Sequence, residues 1–229
     1  MKHIIIGDLH GRNSWKRAPL HQNAKIIFLG DYVDSYTRSN AEILHNLKEI
    51  IDFKKANPDR VVLLIGNHDA QYINYPYGRC AGFRPSMQFD LTSLFSQYRH
   101  YFNIAYQVRS VLFTHAGLTN AWYKKFKQDP FLRNYDTRKL QLASQLNLMG
   151  SKTKDSILYA ECRYRTGEDN DGGPLWADFY ATFSDALNGY DQIVGHTPFN
   201  EPTAHVWRGK SVTYLDVLHR QNYFHEIHL

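Results

Sequence analysis

Apolar residues arrive first in short unbroken runs and then at a helical period. His3 to Ile6, Lys25 to Leu29 and Val61 to Ile65 are apolar segments of strand length. Val61-Val62-Leu63-Leu64-Ile65 shows no alternation, as expected of a strand buried on both faces. Across Ser39 to Lys55, residues Ile43, Leu44, Leu47, Ile50 and Ile51 recur at the spacing of a helix with one buried stripe. Asn57-Pro58 ends that helix. The opening therefore reads strand, loop, helix, strand, helix, strand, a layered α/β pattern.

The pattern changes after Asp69. Tyr72 to Ser86 mixes prolines and glycines with tyrosines and arginines and reads as a long irregular loop of the functional kind. Phe89 to Phe102 reads as a helix, and Ile104 to Val108 and Val111 to Thr114 as paired strands meeting near Arg109-Ser110. Helical segments follow at Asn120 to Lys127 and Thr137 to Leu148. A second polar loop covers Glu161 to Pro174, then a helix at Asp178 to Leu187 and a strand at Asp191 to Val194. Thr203 to Leu229 reads as two or three antiparallel strands. No repeat or low-complexity tract interrupts the chain. The expected fold is one α/β domain over residues 1–229, a sandwich of two mixed β-sheets flanked by helices.

Composition changes this picture little. At 229 residues the chain is long enough for one large core, and 43% hydrophobic with 21% charged residues is ordinary for a globular domain. No apolar run approaches the roughly 20 residues of a membrane-spanning helix. The stretch before the first polar cluster is too short for a signal peptide, so a cytoplasmic protein is expected. Cys80 and Cys162 form no C-x-x-C pair and read as ordinary thiols. The net charge of +5 is dispersed, without a basic block. Nucleic acid is not expected as the main partner, and the positive balance suits a site that attracts phosphate.

The chemistry lies in five short runs. They are Gly7-Asp8-Leu9-His10-Gly11, Gly30-Asp31-Tyr32-Val33-Asp34, Gly66-Asn67-His68-Asp69, His115-Ala116-Gly117 and Gly195-His196-Thr197-Pro198. Each of the first four follows an apolar run, so carboxylates, imidazoles and an amide are delivered to strand ends. Asp8 and His10 stand two apart and would face the same side of a strand. Oxygen and nitrogen donors without thiolates suit manganese, iron or zinc in a reactive site rather than a structural thiolate site.

In order, these runs resemble the calcineurin-like metallophosphoesterases. The resemblance is nearest to the branch holding the phosphoprotein phosphatases and the symmetrical diadenosine tetraphosphate hydrolases. It implies two transition-metal ions, divalent or mixed-valence, with manganese first and iron or zinc as alternatives. Asp8, His10 and Asp31 would hold one ion; Asp31, Asn67, His115 and His196 would hold the other. Two such ions can clamp the attacking and leaving oxygens of an in-line displacement and generate hydroxide near neutral pH. His68 would protonate the leaving oxygen, with Asp34 orienting and charging its imidazole.

Two departures matter. The branch carries Arg-Gly where this chain has Ser35-Tyr36, and serine supplies no cationic fork for phosphate. Arg79 and Arg84 are the first candidates to replace it, Arg163 and Arg165 the second. The last run lacks the second histidine of Gly-His-x-His, as does the phosphatase branch. The leading expectation is a metal-dependent phosphatase acting on phosphate monoesters, including phosphoserine and phosphothreonine in proteins. A nucleotidase or diadenosine polyphosphate hydrolase is the alternative, because Tyr72, Tyr75, Tyr77 and Phe83 could stack on a base. An inactive binding scaffold would require lost ligands, and every position is filled. The expected partner is a phosphorylated substrate, whether small molecule, nucleotide or phosphoprotein, and not a membrane.

Overall fold

The computed structural model describes residues 1–135, 137, 139–151, 157–161, 165 and 171–229. It divides into two compact units. The first comprises Met1–Asn103 with Asp216–Leu229, and the second Ile104–Leu215. Each is built on one five-stranded mixed sheet.

The first unit contains β1 (Lys2–Ile6), β2 (Ala24–Phe28), β3 (Val61–Leu64), β4 (Phe102–Asn103) and β10 (His225–His228), in the order β10-β1-β2-β3-β4. β1, β2, β3 and β4 run parallel, in a register that pairs Ile4 with Ile26 and Ile26 with Val61. β10 pairs antiparallel with β1, so the last strand does not continue the C-terminal meander that sequence reading suggests. The uninterrupted apolar runs follow from this placement. Ile4, Ile26, Phe28, Leu63 and Leu64 are fully buried, as central parallel strands covered on both faces require.

Helix α1 (Asn40–Ala56) follows β2. Ser39 caps it through a reciprocal pair: its hydroxyl accepts from Glu42 N–H while the Glu42 carboxylate accepts from Ser39 N–H. The buried stripe is Ile43, Asn46, Leu47, Ile50 and Ile51. Leu44 lies at its edge, and the polar Asn46 takes a place inside because Trp15 Nε1 donates to its Oδ1 at 2.9 Å and its amide donates to Arg12 O at 3.1 Å. Helix α2 (Asn67–Ile73) occupies ground that reads as loop from Tyr72 onward. At seven residues it is too short to show a period. α3 (Gln88–Gln97) ends earlier than expected, because Phe102 and Asn103 pair with Leu63 and Leu64 as β4.

The second unit contains β5 (Ala105–Val108), β6 (Val111–Thr114), β7 (Asp191–Pro198), β8 (Thr203–Trp207) and β9 (Lys210–Asp216), in the order β5-β6-β7-β9-β8. β5 and β6 form the expected hairpin, β6 and β7 run parallel, and β8 and β9 are antiparallel. Around them lie α4 (Asn120–Phe126), α5 (Pro130–Arg133), α6 (Leu142–Gly150) and α7 (Phe179–Asp185). α6 starts later than Thr137 because the Gln145 side chain donates to the carbonyls of Leu140 and Thr137, closing a turn there instead of a helix. The polar loop expected over Glu161 to Pro174 falls largely outside the described residues, as does Cys162. Cys80 is a free thiol. Among the described residues, no helix is long and apolar enough to cross a membrane.

Ser39→Ala removes one half of the α1 cap. It should lower stability by about 1 kcal/mol, read as a lower urea midpoint with an unchanged slope.

Candidate metal centre and proton donor

The parallel order of β1, β2 and β3 brings their C-terminal ends to one edge of the first sheet, and the polar runs begin there. Asp8 and His10 do not share a strand: β1 stops at Ile6, and His10 has φ of 45°. The turn is held by the next loop instead. Leu9 N and His10 N both donate to Asp31 O, at 3.0 and 2.8 Å, and Gly11 N donates to Tyr32 O at 2.9 Å. His10 Nδ1 lies 3.1 Å from Val33 O and 2.9 Å from Asp34 O. Carbonyls only accept, so Nδ1 carries the proton and Nε2 presents its lone pair. That nitrogen stands 3.8 Å from Asp31 Oδ2.

Asp31 is buried with φ of 54°, and the Asp69 carboxylate enforces that conformation. Its Oδ2 accepts from Asp31 N at 2.7 Å and Gly66 N at 2.9 Å, and its Oδ1 from Tyr32 N at 2.9 Å. One fully buried carboxylate thus ties the loop after β2 to the start of α2. The loops touch so closely that a Cβ on Gly66 would overlap Asp31 Oδ1, and one on Gly30, where φ is 107°, would overlap the Gly66 backbone. Asn67 is buried behind this contact, its amide nitrogen donating to Cys80 Sγ at 3.8 Å.

His68 donates its backbone N–H to Asp31 Oδ1 at 3.0 Å, and its Nδ1 lies 3.0 Å from Asp34 Oδ2. Its ring meets that of His10 edge-on, centroids 5.0 Å apart. Burial opposes a charge on His68, but Asp31, the hydrogen bond to Asp34 and Cys80 outweigh it and hold the pKa well above the ordinary imidazole value. One nitrogen of the ring is thereby committed to Asp34. Side-chain atoms of His10, Asp31 and His68 that could each donate to an ion lie within 4.8 Å of one another. Buried carboxylate oxygen beside an aimed imidazole nitrogen is a donor set that fits a divalent transition ion.

In the second unit, β6 and β7 place His115 and His196 at the same sheet edge. Gly195 N donates to His115 O at 2.8 Å. His196 lies within β7, at φ of 65°, rather than beyond the strand's end. Its Nδ1 is 3.2 Å from His115 Nε2, and both side chains are buried. The Trp176 ring meets His196 edge-on at 5.9 Å. Among the described residues, six non-glycine positions have positive φ, and His10, Asp31, Asp34 and His196 are four of them. Such strain concentrates at functional sites.

The candidate arginines separate. Arg79 is exposed, its guanidinium 5.7 Å above the Phe83 ring. Arg84 donates to Asn40 Oδ1 at 2.6 Å, to Arg38 O at 2.9 Å and to Ser35 O. Arg165 donates to Asp178 Oδ2 at 2.7 Å and, beside His196, to Thr197 Oγ1 at 3.0 Å. Arg163 lies outside the described residues. The loop aromatics engage one another: Phe83 stacks on Tyr72 at 5.1 Å and on Tyr75 at 5.9 Å. Sequence analysis gives no role to Asp69 or Gln71 and casts Tyr72 only as a base-stacking ring. Only their position inside or just after the Gly-Asn-His-Asp run could have pointed to them.

The calcineurin-like phosphoesterase family matches residues 1–224. The chain belongs to this family. A probable serine/threonine-protein phosphatase of Encephalitozoon cuniculi is 28% identical over 199 residues, covering 83% of this chain and 41% of that relative. The chain therefore spans about two fifths of that curated protein's length. The cold-active protein-tyrosine phosphatase of a psychrophile Shewanella species superposes with a TM-score of 0.59 at 15% identity, over 94% of this chain and 71% of that one. A protein serine/threonine phosphatase from Saccharomyces cerevisiae gives 0.53 at 16% identity, over 93% and 66%. The chain shares their fold, an α/β architecture of two mixed sheets with helices.

Asp69→Asn replaces one acceptor oxygen with a donor facing buried N–H groups. It should cost about 3 kcal/mol, measured by urea denaturation of the metal-free protein.

Proposed function

We propose that this protein is a metal-dependent phosphoesterase that hydrolyses phosphate monoesters, with phosphoserine and phosphothreonine in proteins as the leading substrate class. The observation that carries the reading is the His68–Asp34 pair set against Asp31 and His10. Family membership over residues 1–224 supports it, as does the likeness to the Encephalitozoon cuniculi protein named as a probable serine/threonine phosphatase. The same match supports treating residues 1–229 as one functional domain, and a cytoplasmic location completes the reading.

Asp8, His10 and Asp31 would hold one ion, and Asp31, Asn67, His115 and His196 the second, with manganese first and iron or zinc as alternatives. When bound, the ions supply Lewis acidity that activates water and offsets the charge of the phosphoryl oxygens. The chain's own residues do the rest. Asp31, rigidly set by Asp69, would be the shared carboxylate. His10 is held in the tautomer that offers Nε2. His68 keeps Nδ1 on Asp34 and delivers its other proton to the departing oxygen. Arg84 is the best supported of the arginines for gripping phosphate, because its guanidinium lies against Ser35, where the related branch carries its own arginine. Arg165 is second, beside His196. The nucleotide alternative draws on the same loop, where Tyr72 is buried and Phe83 and Tyr75 stack on each other, which leaves the exposed Tyr77 as the ring a base would meet.

With Mn²⁺ supplied, the protein should hydrolyse nitrophenyl phosphate and a phosphoserine peptide in preference to a nitrophenyl diester or diadenosine tetraphosphate. Activity in none of these, with Mn²⁺, Fe²⁺ or Zn²⁺, would overturn the reading. His68→Asn should reduce kcat by about 10²–10⁴ on the phosphopeptide and less on the nitrophenyl ester, with metal content unchanged. Asp31→Asn should lose both metal and activity, as read by elemental analysis of the same preparations. Arg84→Ala should lower kcat/KM by about 10–10², and Ser35→Arg with Tyr36→Gly should recover part of it.

A further inference from the structure

Asp34 receives more donors than holding one imidazole requires. Tyr72 Oη donates to its Oδ1 at 2.5 Å, and Gln71 Nε2 donates to its Oδ2, the oxygen that also faces His68 Nδ1 at 3.0 Å. Asp34, Gln71 and Tyr72 are all buried, so these directions are not averaged by water. Burial first, then the hydrogen bond to Asp34, raises the Tyr72 pKa far above the ordinary phenol value. Tyr72 is thus a donor throughout the range in which enzymes work.

Both side chains are in turn gripped by one segment of the following loop. Cys80 N donates to Gln71 Oε1 at 3.0 Å, and Arg84 N donates to Tyr72 Oη at 2.9 Å. The Arg84 side chain carries on to Asn40, Arg38 and Ser35. Between these anchors Gly82, at a φ of 85° that side chains rarely adopt, lies against the dyad, where an added Cβ would make ordinary contact at 3.4 Å from Asp34 Cβ and 3.6 Å from His68 Cε1. The segment 80–84 therefore closes over the dyad, and its backbone fixes the two side chains that aim Asp34.

We propose that Gln71 and Tyr72 are positioning residues for the proton donor, and that seating of the 80–84 segment upon them sets how well the leaving group is protonated. The inference rests on His68 being that donor. A carboxylate held from three sides cannot rotate away when the imidazole gives up its proton, so the ring stays aligned with the departing oxygen. Were the extra donors only satisfying a buried carboxylate, removing one would cost stability without regard to the leaving group.

The test uses the full chain. Tyr72→Phe, Gln71→Met and Gly82→Ala should each lower kcat on a phosphoserine peptide by about 10-fold and on nitrophenyl phosphate by less than about threefold, with metal content retained. A second readout needs no turnover: the downfield Nδ1 proton of His68 in the metal-free protein, assigned by its absence in His68→Asn. That signal should move upfield or broaden in Tyr72→Phe and Gln71→Met. Equal losses on both esters in all three variants, or an unmoved signal in both of the latter, would overturn the inference. If His68→Asn itself shows no leaving-group preference, the donor reading of His68 has failed. The imidazole signal then decides whether Gln71 and Tyr72 position the ring.

Discussion

Everything at this sheet edge depends on one buried carboxylate, that of Asp69. It accepts three backbone N–H groups from two loops, at Asp31, Tyr32 and Gly66. Those groups have no strand neighbour to satisfy them, and leaving them unpaired in the core would be costly. By binding them Asp69 holds Asp31 in a left-handed conformation that an aspartate alone would rarely keep. Asp31 O then fixes Leu9 and His10, and Asp31 Oδ1 fixes His68. Three loops of separate origin are thereby referred to one residue that touches no reacting atom.

The arrangement follows a general logic of parallel sheets. Strands running the same way present their C-terminal ends together, and the loops that leave them collect polar groups there. In the first unit, β1, β2 and β3 do this with carboxylates, imidazoles and an amide; in the second, β6 and β7 do it with His115 and His196. The apolar strands provide rigidity, and the positive-φ turns provide aim. Within the first unit the result is an electrostatic division of labour. His10 turns Nδ1 to two carbonyls, while His68, its ring 5.0 Å away, turns Nδ1 to the Asp34 carboxylate.

Much of this was legible in the residues. The unbroken runs of β1, β2 and β3, the α1 stripe and the β5–β6 hairpin follow from apolar period and turn chemistry. The five polar runs name the residues that the folded units bring to their sheet edges. What escaped has physical causes. α2 has seven residues and no readable period. β10 pairs across more than two hundred residues of sequence with β1, and no local pattern encodes that choice. Gln71 and Tyr72 look like ordinary helix residues until Asp34, 37 and 38 positions earlier, is seen against them. The loop aromatics offered a base-stacking reading, but side-chain identity alone does not reveal that Phe83 already stacks with Tyr72 and Tyr75.

The central claim is that Asp31 is the carboxylate around which a two-ion phosphoesterase centre is organised. The most direct measurement is anomalous diffraction from crystals grown with Mn²⁺ and collected at the manganese edge. Two anomalous peaks are expected, one on each side of the Asp31 carboxylate, the first also in contact with Asp8 and His10. Density showing manganese only at surface carboxylates, with no peak at Asp31, would contradict the account.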